Sequence, residues 1–336
     1  MTHWLTLCAL PFLISLILSR LVIHYFGKHL IDKPNFRSSH QIPTPRGGGI
    51  ALACGVVITL LVTSPLTYTS TSPLYWLLLP TGLIAVLGIC DDLINLNVGL
   101  RLIVQFLLAS LGIFLAGVNR EFSPPVQLLA ILAMILFVVW MTNLYNFMDG
   151  INGLAALEAI SVCASMALIY WIKIADIEVI YILIIIAASA SGFLFWNFPT
   201  AKLFMGDAGS LFLGLSLGLL AIGSINKDIY LFVAWLIMLG VFIVDASYTL
   251  FYRIITRQAI QQAHRTHTYQ KMAIKFHSHA RVTLAIVAIN LLWLLPIAIA
   301  VATTHLHYLA ALAIAYTPLL LLAHKSQAGR IEQSPH

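Results

Sequence analysis

Apolar runs of about twenty residues recur along this whole chain, separated by short polar breaks, and each is long enough to cross a bilayer as a helix. Membrane β-barrels show shorter segments of alternating polarity instead. The runs predict eleven helices over residues 4–27, 48–64, 74–90, 100–117, 125–142, 152–172, 178–196, 209–225, 230–251, 282–303 and 307–323. Breaker residues mark most joints: Lys33-Pro34-Asn35, Ser64-Pro65, Ser123-Pro124-Pro125 and Phe198-Pro199. The first run has few charges before it and no small-residue cleavage site after it, so it is expected to be retained as a helix. The expected fold is an all-α polytopic membrane protein. Residues 1–336 form one domain, and residues 252–281 form its large cytoplasmic loop.

Composition sharpens this picture. The chain has 336 residues, of which 60% are hydrophobic and 9% charged, with a mean hydropathy of +0.95. Soluble domains carry about 25% charged residues, so a soluble fold is excluded. Of the 18 lysines and arginines, three (Arg120, Lys173 and Lys227) fall at one set of helix ends and the other fifteen at the opposite set. The positive-inside rule makes the richer side cytoplasmic. An odd number of spans then puts the amino terminus outside and the carboxy terminus in the cytoplasm. The net charge of +6 is spread over these loops, which argues against a nucleic-acid partner. Cys8, Cys54, Cys90 and Cys163 stand singly in apolar stretches, as packing residues and not as disulfide or zinc partners.

The polar residues that remain gather on the predicted cytoplasmic side: Asp32, Asp91, Asp92, Asn143, Asn146, Asp149, Asp207, Asp245, His264 and His267. Charges near hydrocarbon are costly and mark function. The first loop carries Arg37, His40 and Arg46, suited to phosphate, and ends in Gly47-Gly48-Gly49, where a glycine-rich helix start lets backbone N–H groups approach an anion. Asp91 and Asp92 follow the third helix. Neighbours on a helix point about 100° apart, so either the helix ends there or the two have different tasks. Asn143, Asn146 and Asp149 are spaced three apart, on one face at the end of helix five. Trp196-Asn197-Phe198-Pro199 and Gly206-Asp207-Ala208-Gly209 precede helix eight, with Asp207 between glycines that allow close approach of a phosphate or metal. In His264-Arg265-Thr266-His267-Thr268-Tyr269-Gln270-Lys271, histidines beside Arg and Lys suit pyrophosphate binding or proton transfer. Carboxylate and amide oxygens without nearby cysteine point to Mg²⁺ or Mn²⁺.

In this order the clusters closely resemble the polyprenyl-phosphate N-acetylhexosamine-1-phosphate transferase superfamily, from Asp32 to about Lys271. The stretches Asn143–Gly153 and Trp196–Ser210 carry the likeness most specifically. The first loop and the His-Arg-Thr-His-Thr-Tyr-Gln stretch look more like the subgroup that initiates O-antigen synthesis than the peptidoglycan enzymes. The resemblance implies transfer of a HexNAc-1-phosphate (GlcNAc, FucNAc or QuiNAc type) from a UDP-sugar to undecaprenyl phosphate, with release of UMP. The setting would be the bacterial inner membrane, at the cytoplasmic face, in a possible homodimer. It implies Asp91, Asp92, Asp149 and His267 as catalytic residues, Asp207 and Asp149 as magnesium ligands, and Asn143, Asn146, Asn197, Arg37, Arg46, His264 and Arg265 as substrate-binding residues. Two positions depart from the family pattern. Asn95 stands where a third aspartate is common, and Tyr269 stands where the second histidine of a His-x-His loop is expected.

A secondary transporter is the rival class, being also polytopic with intramembrane acids. Transporters, however, place binding residues near the bilayer midplane, often within an inverted repeat. Here the polar residues end helices on one side and no repeat is visible. A catalytically dead scaffold is disfavoured by the intact Asp91, Asp92, Asn146, Asp149 and Asp207.

Overall fold

A computed structural model describes residues 2–26, 31–32, 43–67, 73–117, 124–258 and 265–331. With no water to satisfy backbone groups in a bilayer, helices bond them internally, and the chain is built accordingly. Its helices are α1 (Thr2–Leu21), α2 (Gly48–Thr67), α3 (Pro73–Ile94), α4 (Val98–Leu115), α5 (Pro124–Met148), α6 (Leu154–Lys173) and α7 (Ile177–Asn197). They continue with α8 (Asp207–Ser224), α9 (Ile229–Met238), α10 (Gly240–Ile255), α11 (Thr268–Phe276), α12 (His279–Ile289), α13 (Leu295–Ala302) and α14 (Tyr308–Lys325). A π-turn at Asn290–Leu294 joins α12 to α13 into one span, and another, Val22–Phe26, extends α1. The strands β1 (Ile31–Asp32) and β2 (Thr44–Pro45) pair antiparallel just before α2.

Among the described residues nine helices are long and apolar enough to cross a membrane, or ten if the bent pair α9–α10 counts as one span. The eleven expected spans correspond to these ten and to α2, whose apolar part, Gly48–Thr63, is shorter. The ninth expected span, 230–251, is not one rod: α9 and α10 meet at an angle of 68°. The Tyr316 hydroxyl donates to the Leu236 carbonyl at 2.7 Å, the acceptor an unbroken ladder would offer to Gly240. A side chain inserted in this way is a recognised cause of a sharp kink. The stretch 252–281 is not loop throughout either, since α10 runs into it, α11 lies within it and α12 begins before it ends.

The middle of the bundle is α8, 89% buried, against which α2, α3, α4, α5 and α9 pack. Small residues bring its start against α2: a methyl on Gly49 would clash with the backbone of Ala208 and Gly209. Close backbone approach of this kind replaces the hydrophobic drive that lipid does not supply. The Gly48 and Gly49 N–H groups are engaged there, donating to the carbonyls of Phe204 (2.9 Å) and Met205 (2.8 Å). The triglycine start is therefore a helix-packing seam, not an anion cradle. At the opposite end of the bundle Lys173 pairs with Asp228 and Lys227 with Asp176, each at 3.2 Å, which ties the turn before α7 to the turn before α9. Within the bundle Glu158 of α6 accepts a hydrogen bond from Asn290 at 2.7 Å, and Asn290 also donates to Ser161 at 2.9 Å.

Candidate active site at one end of the bundle

The ends of α3 and α5 and the starts of α2, α4, α6 and α8 converge at one end of the bundle. Here α3 and α5 run further than expected, to Ile94 and Met148. Asp91 and Asp92 thus lie inside the last turn of a helix, and Asp149 lies just past the helical face that holds Asn143 and Asn146.

The paired aspartates have different partners, as the 100° between helical neighbours requires. Asp91 accepts from the guanidinium of Arg101 in the first turn of α4 and from the Leu96 N–H at 2.8 Å. Asn95, in the turn between α3 and α4, has φ 48°, a left-handed conformation that Asn tolerates better than most residues. Asn and Asp both suit that conformation, so the backbone does not distinguish the asparagine from the aspartate common in the family. Asp92 turns the other way and accepts from the backbone N–H groups of Asp207 (3.1 Å) and Ala208 (3.3 Å). It occupies the anion position that a helix N-terminus offers, so the start of α8 is capped by an acid from α3. Gly206, with φ 73°, lets the chain turn into α8, and a side chain there would press on the Asp92 carboxylate.

Asp207 stands beside this cap. Its Oδ1 accepts from Asn146 at 2.8 Å, and its Oδ2 lies 3.4 Å from Arg101. Asn146 also reaches Ser210 at 3.0 Å. Asn143 faces another way and donates to Gln105 of α4 at 2.6 Å and to the Val139 carbonyl at 2.8 Å. Asn197 is buried: it accepts from the Gly153 N–H at 2.6 Å and donates to the Leu203 carbonyl at 2.8 Å, fastening the start of α6 to the loop before α8. Asp149 takes no hydrogen bond on its carboxylate among the described residues. Burial, then the charges of Asp207 and Asp92, push its carboxyl well above the usual carboxylate range.

Arg46 pairs with Asp32 at 2.8 Å across the β1–β2 ladder and lies within electrostatic reach of Asp92 and Asp207. Burial opposes its charge, but the Asp32 bond and these carboxylates raise its pKa above the ordinary value. Arg37 and His264 lie outside the described residues.

The histidine loop docks beside this cluster. Asp245 of α10 accepts from the N–H groups of Thr268 (2.9 Å) and Tyr269 (3.0 Å), so α11, like α8, is capped by an acid from a neighbouring helix. His267 is buried, with Nδ1 3.4 Å from Asp245 and its ring stacked between Phe147 and Tyr269. The Tyr269 hydroxyl donates to the Phe147 carbonyl at 2.9 Å, above Gly150, where any side chain would collide with it. Tyr269 is a docking residue joining the loop to the end of α5. Arg265 is half-buried at the loop's edge. Beyond the loop an apolar cavity of about 610 Å³ opens between α10, α11, α12 and α14, lined by Val241, Val244, Ile286, Ile289 and Leu319, with Lys275 and Arg281 also on its wall.

Asp91, Asp92, Asn146, Asp149 and Asp207 are thus brought together, with Arg46 beside them, while Asn143 and Asn197 are engaged in ties between helices. Arg101 and Ser210 were not singled out in the sequence. Arg101 was legible only as one of many loop cations, although it opens a helix a short turn after an acidic pair.

Four carboxylates (Asp91, Asp92, Asp149 and Asp207) face two guanidiniums, one of which Asp32 already holds. This excess of hard oxygen charge fits a divalent cation of the magnesium type. Among the described residues no three acids or histidines converge as a ready-made metal site. Magnesium commonly takes only one or two carboxylates and completes its shell with water and substrate phosphates, so the donor set fits.

Comparison with known proteins gives the family. Residues 74–225, which hold the whole carboxylate cluster, match the family described as glycosyl transferase family 4. A probable undecaprenyl-phosphate N-acetylglucosaminyl 1-phosphate transferase of Bacillus subtilis is 31% identical over 272 residues, 78% of this chain and 75% of that protein. A decaprenyl-phosphate N-acetylglucosaminephosphotransferase of Mycolicibacterium smegmatis is 29% identical over 306 residues, 81% and 74% of the two chains. A phospho-N-acetylmuramoyl-pentapeptide-transferase of Oceanobacillus iheyensis is 28% identical over 271 residues, 73% and 81%. The chain belongs to glycosyl transferase family 4, the polyprenyl-phosphate N-acetylhexosamine-1-phosphate transferase superfamily.

Proposed function

We propose that this protein transfers a HexNAc-1-phosphate from a UDP-sugar to undecaprenyl phosphate at the cytoplasmic face of the bacterial inner membrane. UMP leaves, and undecaprenyl-diphosphate-HexNAc begins an O-antigen or related envelope polysaccharide. The observation that carries this reading is the cluster of Asp91, Asp92, Asp149 and Asp207 with Arg46 and Arg101 at the ends of membrane helices, where a soluble nucleotide and a membrane lipid can both reach. Relatives named for N-acetylglucosamine make UDP-GlcNAc the first donor to test, with UDP-FucNAc and UDP-QuiNAc next.

Phosphoryl transfer depends mainly on positioning and on neutralising charge. In this reading Asp207 and Asp149 hold Mg²⁺, or Mn²⁺ in its place. The bound ion neutralises phosphate oxygens. Arg46 and Arg101 supply fixed positive charge at the rim, where Arg suits phosphate geometry. Asp92 holds the N-terminus of α8, and so Asp207, in place. Asp149 is buried beside Asp207 and Asp92, and a bound cation there would favour its ionised carboxylate. His267 and Arg265 face the diphosphate of the donor. The apolar cavity beside the histidine loop has the chemistry of a polyprenyl tail.

A transporter reading has no comparable support. Among the described residues the single broken span bends at Leu239, an apolar position, and its one acid, Asp245, caps α11.

The test uses purified protein in detergent with undecaprenyl phosphate, Mg²⁺ and a panel of UDP-HexNAc donors, following UMP and the lipid product. Release of UMP with one donor, dependent on lipid and stopped by chelator, is the expected result. Folded protein that binds a donor by calorimetry yet never releases UMP would overturn the reaction.

A further inference from the structure

Immediately after α14 the chain folds back on the histidine loop. Ser326 Oγ lies 3.4 Å from Thr268 Oγ1, the Gln327 carbonyl accepts from Lys271 Nζ at 2.8 Å, and the Gly329 N–H donates to the Thr266 carbonyl at 2.8 Å. Arg330 finishes the turn on the end of α10: its Nε donates to the Tyr252 hydroxyl at 3.0 Å and its guanidinium lies 5.7 Å from that ring's centre. Ala328 and Gly329 are buried beneath these contacts. The turn is specific, because Gln327 (φ 56°) and Gly329 (φ 82°) are both left-handed and a side chain on Gly329 would press on Tyr252 at 2.8–3.0 Å.

His267 sits between the two backbone points so held. On one side the Thr266 carbonyl is bound by Gly329. On the other the Thr268 and Tyr269 N–H groups are bound by Asp245. Asp245 fixes the loop from within the bundle, and the post-α14 segment fixes it from outside.

We propose that Ser326–Arg330 is a positioning clasp for His267: through Gly329 and Lys271 it holds the histidine loop against the end of α5. The inference rests on the reading of His267 as part of the transfer site. The clasp touches no reacting atom and acts through the loop backbone. Loosening it lowers the population of the working geometry without removing any group that binds the donor.

Gly329→Val in the full chain is the direct test, because it denies the left-handed turn and presses on Tyr252. The readouts are amide hydrogen exchange over residues 266–271 and the separate kcat and KM values for UDP-GlcNAc and undecaprenyl phosphate. Exchange in 266–271 should rise with α8 unchanged. The kcat should fall about tenfold or more, since displacement by about 1 Å can cost on the order of a hundredfold; KM for the nucleotide sugar should rise with it, because Arg265 and His267 move with the loop, while KM for undecaprenyl phosphate stays within about twofold. Arg330→Ala, which removes only the outer contact, is measured beside it in case the valine variant does not fold. It should show a smaller change of the same sign in both readouts. Unchanged exchange in 266–271, or raised exchange with unaltered kcat, in the folded variants would overturn the clasp. His267→Ala separates this from the reading beneath it: if that variant keeps full turnover, the role of His267 fails, whatever the exchange experiment shows about the loop.

Discussion

The carboxylate of Asp92 accepts the backbone N–H of Asp207, so one acid of the cluster fixes the peptide that presents another. These bonds give Asp92 a positioning task beside the catalytic one expected of it. Asp92→Asn keeps one acceptor and loses the charge at the start of α8, and should lower thermal stability by about 0.5–2 kcal/mol, in the range of a lost helix cap. Turnover should fall only in part. Loss of all turnover with unchanged stability would leave Asp92 the chemical role alone.

Asp207→Asn should abolish turnover while the protein still inserts and purifies, since under the proposed function an amide replaces the carboxylate that holds the metal. The check is UMP release across a magnesium titration. Near-wild-type turnover at limiting Mg²⁺ would remove Asp207 from the metal site.

Arg101 is the cation that Asp91 depends on, and Asp91 is buried while Arg101 is one-quarter exposed. Removing one partner leaves a carboxylate short of its counter-charge. Arg101→Ala should cost about 1–3 kcal/mol, less than a fully buried pair because of solvent at the Arg side. Arg101→Lys should recover part of it. Chemical denaturation in a mild detergent reads both.

Gly150 and Tyr269 should couple. Gly150→Ala drives a methyl into the tyrosine hydroxyl and should undock the loop. Tyr269→Phe removes that oxygen and one hydrogen bond, worth about 1 kcal/mol. The double variant should therefore be more stable than the sum of the two losses predicts. Strict additivity would mean that the loop does not pack here in solution.

The sequence made the spans and one-sidedness of the polar residues readable, because lipid imposes an apolar period on every crossing helix and a charge bias on the loops. It also brought Asp91, Asp92, Asn146, Asp149 and Asp207 into view. What stayed hidden were pairings between distant elements. The triglycine at 47–49 resembles an anion loop until Phe204 and Met205 are seen taking its N–H groups. Asn197 resembles a ligand until both ends of its amide are found on backbone. Likewise Tyr316 lies some eighty residues from the helix it kinks, a distance over which no local pattern operates.

The bend at Leu239 divides the site into two mechanical parts. Asp207 opens a helix enclosed on all sides by its neighbours, and the bilayer reaches it little. His267 hangs from α10, a half-helix whose Phe251, Ile254 and Ile255 are exposed along its outer side. A hydrophobic stretch that meets a bilayer of different thickness is accommodated by tilting, kinking or local change of the bilayer. A change of bilayer thickness would then be expected to act on the part that carries His267 and to leave the part that carries Asp207 in place.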